Sequence, residues 1–309
     1  MFGLNNKEPS QAKPVRVSKE KVAVMVPQFC GNEAVIRNTM VKYIYSLSIF
    51  CFLFPVILFA QQDLWDVYLA QYEKGVGSTL INISAKSYAP NRNFPFVVVT
   101  GVTFTGCNSD GMPSKEQFPE LYKISDSVKS EIDRIVSNIS VATFTYQCER
   151  LDYYYVKDTV GLRGQIFQIY SKYFQSYKPY FNIKEDKTWE AYLTFLYPND
   201  ETFEFMQNQK VVTKLVESGD KLDKARLVDH WIYFVTEQDR DCYIKYTTKL
   251  GFKVEAKEKT KDTLKPFALH ISRTDKVDVA TISKLTIELR KEAIKCNGDY
   301  DGWETFIVK

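Results

Sequence analysis

The fold of the second half of the chain is decided by its last stretch, Gly298-Asp299-Tyr300-Asp301-Gly302-Trp303-Glu304-Thr305-Phe306-Ile307-Val308-Lys309. A turn rich in glycine and aspartate leads into aromatic and β-branched residues, which predicts a final β-strand with one large aromatic side chain, Trp303, at its mouth. A terminal strand this apolar would fray and aggregate if it were free, so we expect it to pair within a sheet. The strand should close a compact domain, with Trp303 as an anchor of packing or of an interface.

Before this strand, the periodicity of apolar residues predicts the order strand, helix, strand, strand, helix. The second half places these elements at 227–235, 238–250, 252–258, 267–272 and about 279–293. The first half, after a leading hairpin at 65–72 and 78–84, places them at 96–104, 119–136, 140–147, 151–156 and 161–174, with 189–197 as the closing element. The predicted fold class is α+β, with two tandem ferredoxin-like (split βαβ) domains, antiparallel sheets and helices on one face. The domains are expected at 63–198 and 199–309, joined by a helix at about 201–217.

The segment before residue 63 has the pattern of a leader. An apolar run at 47–60 follows Lys42 and ends at the small residue Ala60 before a polar shift, which predicts a signal peptide at 40–60. If cleavage after Ala60 fails, the same segment is just long enough to serve as a membrane anchor, and it is the only predicted membrane contact. Residues 1–39 are expected to be an unstructured leader or to precede the true start at Met40. The protein should therefore be exported, to the periplasm or the medium, or anchored in a membrane; a cytoplasmic location is the alternative.

Charge is distributed unevenly along the chain. Residues 1–60 hold seven Lys/Arg and three Asp/Glu, residues 61–197 hold 14 and 15, and residues 198–309 hold 20 and 20. The basic excess thus lies in the leader, and the rest has no positive field to attract a phosphate backbone. This distribution argues against direct binding of nucleic acid.

Four cysteines lie outside the leader: Cys107, Cys148, Cys242 and Cys296. They form no CxxC pair and the chain has two histidines, so no metal site is predicted. In a split βαβ sheet the start of the first helix and the end of the second lie at the same end, which places Cys242 near Cys296. By the same logic, Cys107 and Cys148 follow parallel strands at one end of the first domain. Each pair should be a disulfide if the protein is exported, or a close pair of thiols if it is not.

The sheet face turned away from the helices in the second half carries aromatic side chains. Alternation sends Ala268, His270 and Ser272 to that face, and the 227–235 strand is apolar on both of its faces. We expect that the face meets the other domain, a second subunit or a ligand. The interface candidates there are Trp231, Tyr233 and His270, with Trp303 as a fourth. Stacking of RNA bases on these aromatics is disfavoured because the basic patch is missing.

No catalytic or cofactor motif accompanies these residues. Asp229 with His230, and His270 with Asp275, could be drawn as acid–base pairs. Asp229 and His230 are neighbours on a strand and point to opposite faces, so they cannot act together without a bulge. The chain has neither a G-x-S-x-G elbow nor a G-x-x-x-x-G-K phosphate loop. We therefore predict no catalytic residue and no cofactor.

Several motifs in the second half resemble the family of regulator of ribonuclease E activity B, RraB. They are Val228-Asp229-His230-Trp231-Ile232-Tyr233-Phe234, Leu250-Gly251-Phe252-Lys253-Val254, Ser272-Arg273 and Gly298-Asp299-Tyr300-Asp301-Gly302-Trp303-Glu304. The first half is similar to a bacterial domain of unknown function, the 695 family, which occurs fused to RraB-like domains and brings no known activity. The marks of that similarity are Trp65, Tyr68, Gly111, Pro113, Leu121, Thr143, Tyr153-Tyr154-Tyr155, Trp189, Tyr192 and Leu196-Tyr197-Pro198.

The RraB resemblance implies a ferredoxin-like fold and a non-catalytic role, since proteins of that type bind an endoribonuclease and restrain it. The first hypothesis is a non-enzymatic, exported or anchored protein that binds another protein, whose identity is open and which could be a ribonuclease. The alternative is a cytoplasmic inhibitor of an endoribonuclease of the ribonuclease E type. A third hypothesis is an enzyme acting on a small envelope substrate, which would need a deep pocket with polar groups around His270.

Overall fold

A computed structural model describes residues 13–14 and 63–309 and shows a mixed α+β protein with two antiparallel sheets. The predicted signal peptide or anchor at 40–60, and most of the predicted leader, lie outside the described residues. Within the described ranges, no helix has the length and apolar character needed to cross a membrane.

The first sheet contains seven strands in the order β1-β2-β3-β5-β6-β4-β7, and the paired strands run antiparallel. The strands are β1 (Lys13–Pro14), β2 (Trp65–Tyr72), β3 (Gly75–Asn82), β4 (Phe96–Thr103), β5 (Asn138–Tyr146), β6 (Glu149–Val156) and β7 (Lys178–Glu185). Two helices, α1 (Phe118–Ile135) and α2 (Leu162–Tyr173), cover one face. α1 begins with Pro119 in its first turn and buries Leu121, Ile124, Val128 and Ile132, the apolar stripe that the spacing predicts.

The closing element of the first half differs from the prediction. The final strand is β7, and the segment at 189–197, predicted to close the sheet, instead contains a π-helical turn over Ala191–Leu196. The Asp186 carboxylate begins this turn, because it accepts hydrogen bonds from the backbone N–H groups of Glu190 (2.8 Å) and Ala191 (2.9 Å). The apolar run therefore lies across the sheet rather than in it.

The second sheet contains four antiparallel strands in the order β11-β8-β10-β9. The second half comprises α3 (Asp200–Glu217), β8 (Arg226–Phe234), α4 (Glu237–Lys249), β9 (Lys253–Lys259), β10 (Phe267–Asp275), α5 (Val279–Lys295) and β11 (Gly298–Thr305). Side chains cap all three helices: Asn199 caps α3, Thr236 forms a capping box with Asp239 on α4, and Asp278 caps α5. The helices α3, α4 and α5 contribute with one face of the sheet to a single core.

Helix α3 also contacts the first half. Its residue Met206 is buried in the core beneath the π-helical turn, whereas Val212 and Leu215, further along, pack in the core of the second half. Lys210 of α3 forms an ion pair with Asp66 of β2. One helix thus belongs to both cores.

Each half contains one disulfide bond. Cys107, after β4, is bonded to Cys148 in the β5–β6 turn, with a Cα–Cα distance of 5.7 Å. Cys242 of α4 is bonded to Cys296 at the end of α5, with a Cα–Cα distance of 6.0 Å. These are the two pairs that the topology argument predicts.

Candidate functional site

The surface with the features of a binding site is the face of the second sheet turned away from α4 and α5, which we call the open face. Antiparallel register brings residues of β8 and β10 together on it: His270 pairs with Trp231, Ala268 with Tyr233, and Ser272 with Asp229. These side chains are partly buried, except for that of Ser272, which is buried. The alternation of the two strands alone is enough to place them on one surface.

An aromatic pair lies at the centre of the open face. The rings of Trp231 and His270 stack with their centroids 4.8 Å apart and an interplanar angle of 8°. The Nε2 atom of His270 lies 2.7 Å from Oδ1 of Asp229, so the imidazole N–H donates to the carboxylate. About a quarter of each of these two polar side chains is exposed, 28% for His270 and 25% for Asp229. The stack and the hydrogen bond together hold His270 in one orientation.

Carboxylates surround this pair. Register places Glu258 beside Ala268 and Glu304 beside Asp229, on the two outer strands of the sheet. Burial raises the pKa of the Tyr233 hydroxyl, and the nearby carboxylates of Asp301 and Glu258 raise it further. The open face therefore carries a negative potential around an aromatic centre.

Another carboxylate, that of Glu255, lies at a bulge in β9 opposite β10. The hydroxyl of Ser272 donates to it at 2.7 Å, and this hydrogen bond, followed by the contact with Lys253, lowers the pKa of Glu255. Ser272 is thus occupied by Glu255 rather than by His270. Among the described residues, no serine nucleophile is hydrogen-bonded to the Asp229–His270 pair.

The corresponding face of the first sheet is covered. The Trp189 ring stacks on Tyr155 of β6 with a centroid distance of 3.9 Å and an angle of 10°, and Tyr192, Leu196 and Met206 pack over the same side. By contrast, no hydrogen bond or ion pair within the described ranges joins the open face to the first half. Side chains of the first half thus cover this face of the first sheet, whereas the open face of the second sheet has no such cover within the described residues.

The structure brings three of the four predicted interface residues together. Trp231, Tyr233 and His270 share the open face, whereas Trp303 pairs with His230 on the helix side of the sheet. Trp303 is 9% exposed, and its indole N–H donates to Oδ1 of Asn208 on α3 at 2.7 Å. Its surroundings are those of a core residue.

The Asp229–His270 hydrogen bond was missed by sequence reasoning, which drew His270 with Asp275. Asp275 instead accepts two hydrogen bonds from Arg273, at 2.9 and 2.8 Å. The missing signal was the register of β8 against β10, which pairs His270 with Trp231 and so sets Asp229, two residues along β8, diagonally across from His270 on the same face. Alternation fixes the face of a residue but does not identify its cross-strand neighbour.

Two surface clefts lie on the helix side. One, with a volume of about 300 Å³, lies between the start of α3 and α5 and is lined by Glu201, Glu204, Arg290 and Lys291 among others. The other lies along α4 and α5. Neither is lined by His270, and in the described part of the chain no cluster of His, Cys, Asp or Glu is arranged to hold a metal ion.

Comparison with known proteins finds a similar family for each half. Residues 205–305 match the family model described as "Regulator of ribonuclease activity B", RraB, and residues 63–197 match a family of unknown function, DUF695. A protein of Shewanella denitrificans, described as "Regulator of ribonuclease activity B", is 27% identical over 107 residues, which are 34% of this chain and 83% of that protein. The resemblance predicted from the sequence motifs is confirmed for each half. The open face lies within the part that matches RraB.

Proposed function

We propose that this protein is a non-enzymatic regulator that acts by binding another protein through the open face. The observation that carries the proposal is the uncovered Trp231–His270 stack within the segment similar to RraB. Aromatic side chains at the centre of a partly exposed surface are typical of binding hot spots. The RraB-like half would supply the binding surface, and the first half would support it through α3.

The ferredoxin-like split βαβ fold is part of this proposal for both halves. In the second half the strand order β11-β8-β10-β9, with helices after the first and third strands, supports it. In the first half the strands β7-β4-β6-β5 follow the same order, and the hairpin β2–β3 extends the sheet beyond β5. We take the domain boundaries to be those predicted, 63–198 and 199–309.

We further propose that the protein is exported or anchored through 40–60. Two disulfides, one in each half, support this location, because structural disulfides persist in oxidising compartments. The test is cell fractionation with mapping of the N-terminus. A mature protein that begins at Gln61 outside the cytoplasm is the expected result, and an intact N-terminus in the cytosol would overturn it.

A second candidate function is inhibition of a cytoplasmic endoribonuclease of the ribonuclease E type, favoured by the name of the Shewanella denitrificans relative. The test is capture of the purified nuclease by the immobilised protein, followed by a cleavage assay with increasing amounts of the protein. Slower cleavage of RNA would support inhibition. Capture of a different protein, with no effect on the nuclease, would favour the first proposal.

The proposal assigns no chemical step to the Asp229–His270 pair. An acid–base pair needs a nucleophile or a bound substrate within hydrogen-bond reach, and the hydroxyl of Ser272, which pairs with Asp229 across the strands, already donates to Glu255. We therefore treat the hydrogen bond as a means of orienting the aromatic surface. Turnover of a small substrate that is lost in His270→Gln would revive an enzymatic role.

A further inference from the structure

We propose that the open face recognises a cationic segment of its protein partner, rich in arginine or lysine, and places one of its charges beside the Trp231–His270 pair. This inference rests on the proposed function, because it names the chemistry of the partner that the open face would bind. Three observations carry it: the negative charge around the open face, its aromatic centre, and the Oδ2 atom of Asp229, which makes no hydrogen bond within the described residues.

Acidic side chains are concentrated on the open face, although the second half has no net charge. The second half has as many acidic as basic residues, yet the open face carries Asp229, Glu255, Glu258 and Glu304. Lys253 is the basic residue that register places there, and it is held by Glu255 at 2.9 Å.

Two of the arginines that would balance these carboxylates are engaged elsewhere. Arg226 is paired with Asp220 in a fully buried ion pair, and Arg290 is paired with Glu204 between α5 and α3 at 2.7 Å. The open face therefore attracts cations although the domain as a whole is balanced.

The aromatic centre gives the cation a place to bind. Indole is the strongest aromatic partner for a guanidinium or ammonium group, and Trp231 lies flat against His270 with part of its surface accessible. Such contacts strengthen when the cation loses water on an apolar surface. A planar guanidinium suits a stacked pair of rings better than a compact ammonium does.

Asp229 supplies an acceptor in the right place. Its Oδ1 atom accepts from His270, and within the described residues its Oδ2 atom makes no hydrogen bond, with a quarter of the side chain exposed. A carboxylate with one free oxygen next to an aromatic surface is the environment in which arginine forms charge-assisted hydrogen bonds. Trp231 would contact the plane of one guanidinium group, and Asp229 would accept hydrogen bonds from its N–H groups.

The same observations disfavour two other occupants. A nucleic acid would bring phosphates against Glu258, Glu304 and Asp229, which repel them. A second copy of the chain, docked face to face, would oppose like charges across the contact. The negative charge of the open face is complementary to a basic segment of a different protein.

The test is a titration of the full chain with a labelled peptide of alternating arginine and glycine, about ten residues long, which spans the four strands. A peptide of alternating glutamate and glycine is the negative control. We expect the basic peptide to bind with an affinity that falls as salt is added, and the acidic peptide not to bind. Absence of binding by the basic peptide would overturn the inference.

Two charge-reversal variants locate the contact. Glu258→Lys/Glu304→Lys changes exposed residues on the outer strands of the open face, whereas Glu217→Lys/Asp223→Lys makes the same change of charge at exposed residues outside the sheet. The first variant should lose about tenfold or more in affinity for the basic peptide, and the second should lose less than about threefold. Equal losses would show attraction by net charge alone and would sink the inference.

A third variant, Trp231→Leu, tests the aromatic centre at constant charge. We expect a further loss of about threefold to tenfold in affinity for the arginine peptide, and a smaller loss for a lysine peptide. Unchanged affinity for both would remove Trp231 from the site. Circular dichroism and the melting temperature, compared with the wild type, establish that each variant is folded.

Failure of this inference and failure of the proposed function are separable. If a natural protein partner is captured but neither charge reversal at the open face nor Trp231→Leu weakens its binding, the function stands and the assigned surface is wrong. If the peptide binds as expected and no partner protein is captured from the native compartment, the surface stands and the proposed regulatory function is wrong.

Discussion

His230 and His270 both lie next to Trp231, His230 before it on β8 and His270 opposite it on β10. Their side chains nevertheless point to opposite faces of the sheet. His230 is fully buried on the helix side, with its Nδ1 atom 2.7 Å from the Tyr300 hydroxyl and no hydrogen-bond partner for Nε2 within the described residues. His270 reaches the open face and contacts Asp229 and Trp231. Burial, followed by the positive charge of Arg273, lowers the pKa of His230 to about 3.

This shift predicts a loss of stability in mild acid. In the unfolded chain His230 takes up a proton as the pH falls through about 6.5, whereas in the folded protein it stays neutral until about pH 3. Between these values the unfolded state binds more protons, so the free energy of unfolding decreases as the pH falls. We expect His230 to contribute a decrease of up to about 1.4 kcal/mol per pH unit below pH 6. Urea unfolding at pH 7, 6 and 5 measures it.

The control for this prediction is His230→Leu, compared at the same three pH values. The variant loses the hydrogen bond to Tyr300 and should be less stable at pH 7 by about 1–3 kcal/mol. Its free energy of unfolding should nevertheless change less between pH 7 and pH 5 than that of the wild type. If both proteins show the same pH dependence, His230 is not the group that titrates.

Trp303 links the last strand to helix α3 through a buried hydrogen-bond network. The indole is buried and donates to Asn208, whose amide in turn donates to Ser283 and Thr286 at 3.2 and 2.7 Å. Trp303→Ala should therefore destabilise the protein by about 3–5 kcal/mol, because it opens a cavity in the core. Trp303→Phe should cost less, about 1–3 kcal/mol, since it removes the donor and leaves Oδ1 of Asn208 unpaired. Denaturant unfolding measures both.

A substitution at Trp303 should change the stability of the protein without changing its affinity for the basic peptide. Because its side chain is on the helix side, Trp303→Phe should bind the basic peptide as tightly as the wild type does. A folded Trp303→Phe protein that loses the peptide would place this residue in the interface and would contradict the assignment of the open face.

Among the elements, helix α3 makes the contact that neither half could make alone. Met206 is 4% exposed and packs in the core of the first half, although its helix begins the second. Met206→Ala should destabilise the protein by about 2–5 kcal/mol. Hydrogen exchange should localise the loss of protection to β2 and the π-helical turn of the first half. Gln209→Ala, at an exposed position of the same helix, is the matched control and should change little.

Elements with a clear period could be predicted from sequence, whereas the closing region of the first half could not. The stripe Leu121, Ile124, Val128, Ile132 predicts α1 within one or two residues. The segment at 189–197 is apolar almost throughout, so its period does not separate a strand from a helical turn. The actual closing strand, β7, has exposed or partly exposed residues at seven of its eight positions and carried little signal. The Asp186 carboxylate makes the segment at 189–197 a helical turn and not a strand, because it accepts hydrogen bonds from the N–H groups that start the turn.

At the scale of the whole molecule, the two halves share the order of their elements and differ in what covers the second side of each sheet. In the first half Trp189 and its neighbours fill that side, while in the second it stays open with Trp231 at its centre. The sequence predicts that the open face of the second half meets the other domain, a second subunit or a ligand. It cannot predict the chemistry of that partner, because the segregation of charge between the two sides appears only when the register is known.

The two disulfide bonds cross-link residues that are far apart in the sequence of each half. The bond Cys107–Cys148 closes 41 residues and Cys242–Cys296 closes 54, and loops of this length lose much conformational freedom in the unfolded state when they are closed. Cys242→Ser/Cys296→Ser should lower the free energy of unfolding by about 2–4 kcal/mol, and Cys107→Ser/Cys148→Ser should have a similar effect.

The measurement is denaturant unfolding of the wild type and both variants, with and without a reducing agent. The reducing agent should lower the stability of the wild type by about the sum of the two losses, and that of each variant only by the loss from its remaining bond. Non-reducing peptide mapping of the protein from its native compartment should recover both cross-linked pairs. Four free thiols in that material, together with a stability that the reducing agent leaves unchanged, would mean that the pairs are close thiols, as expected for a protein that stays in the cytoplasm.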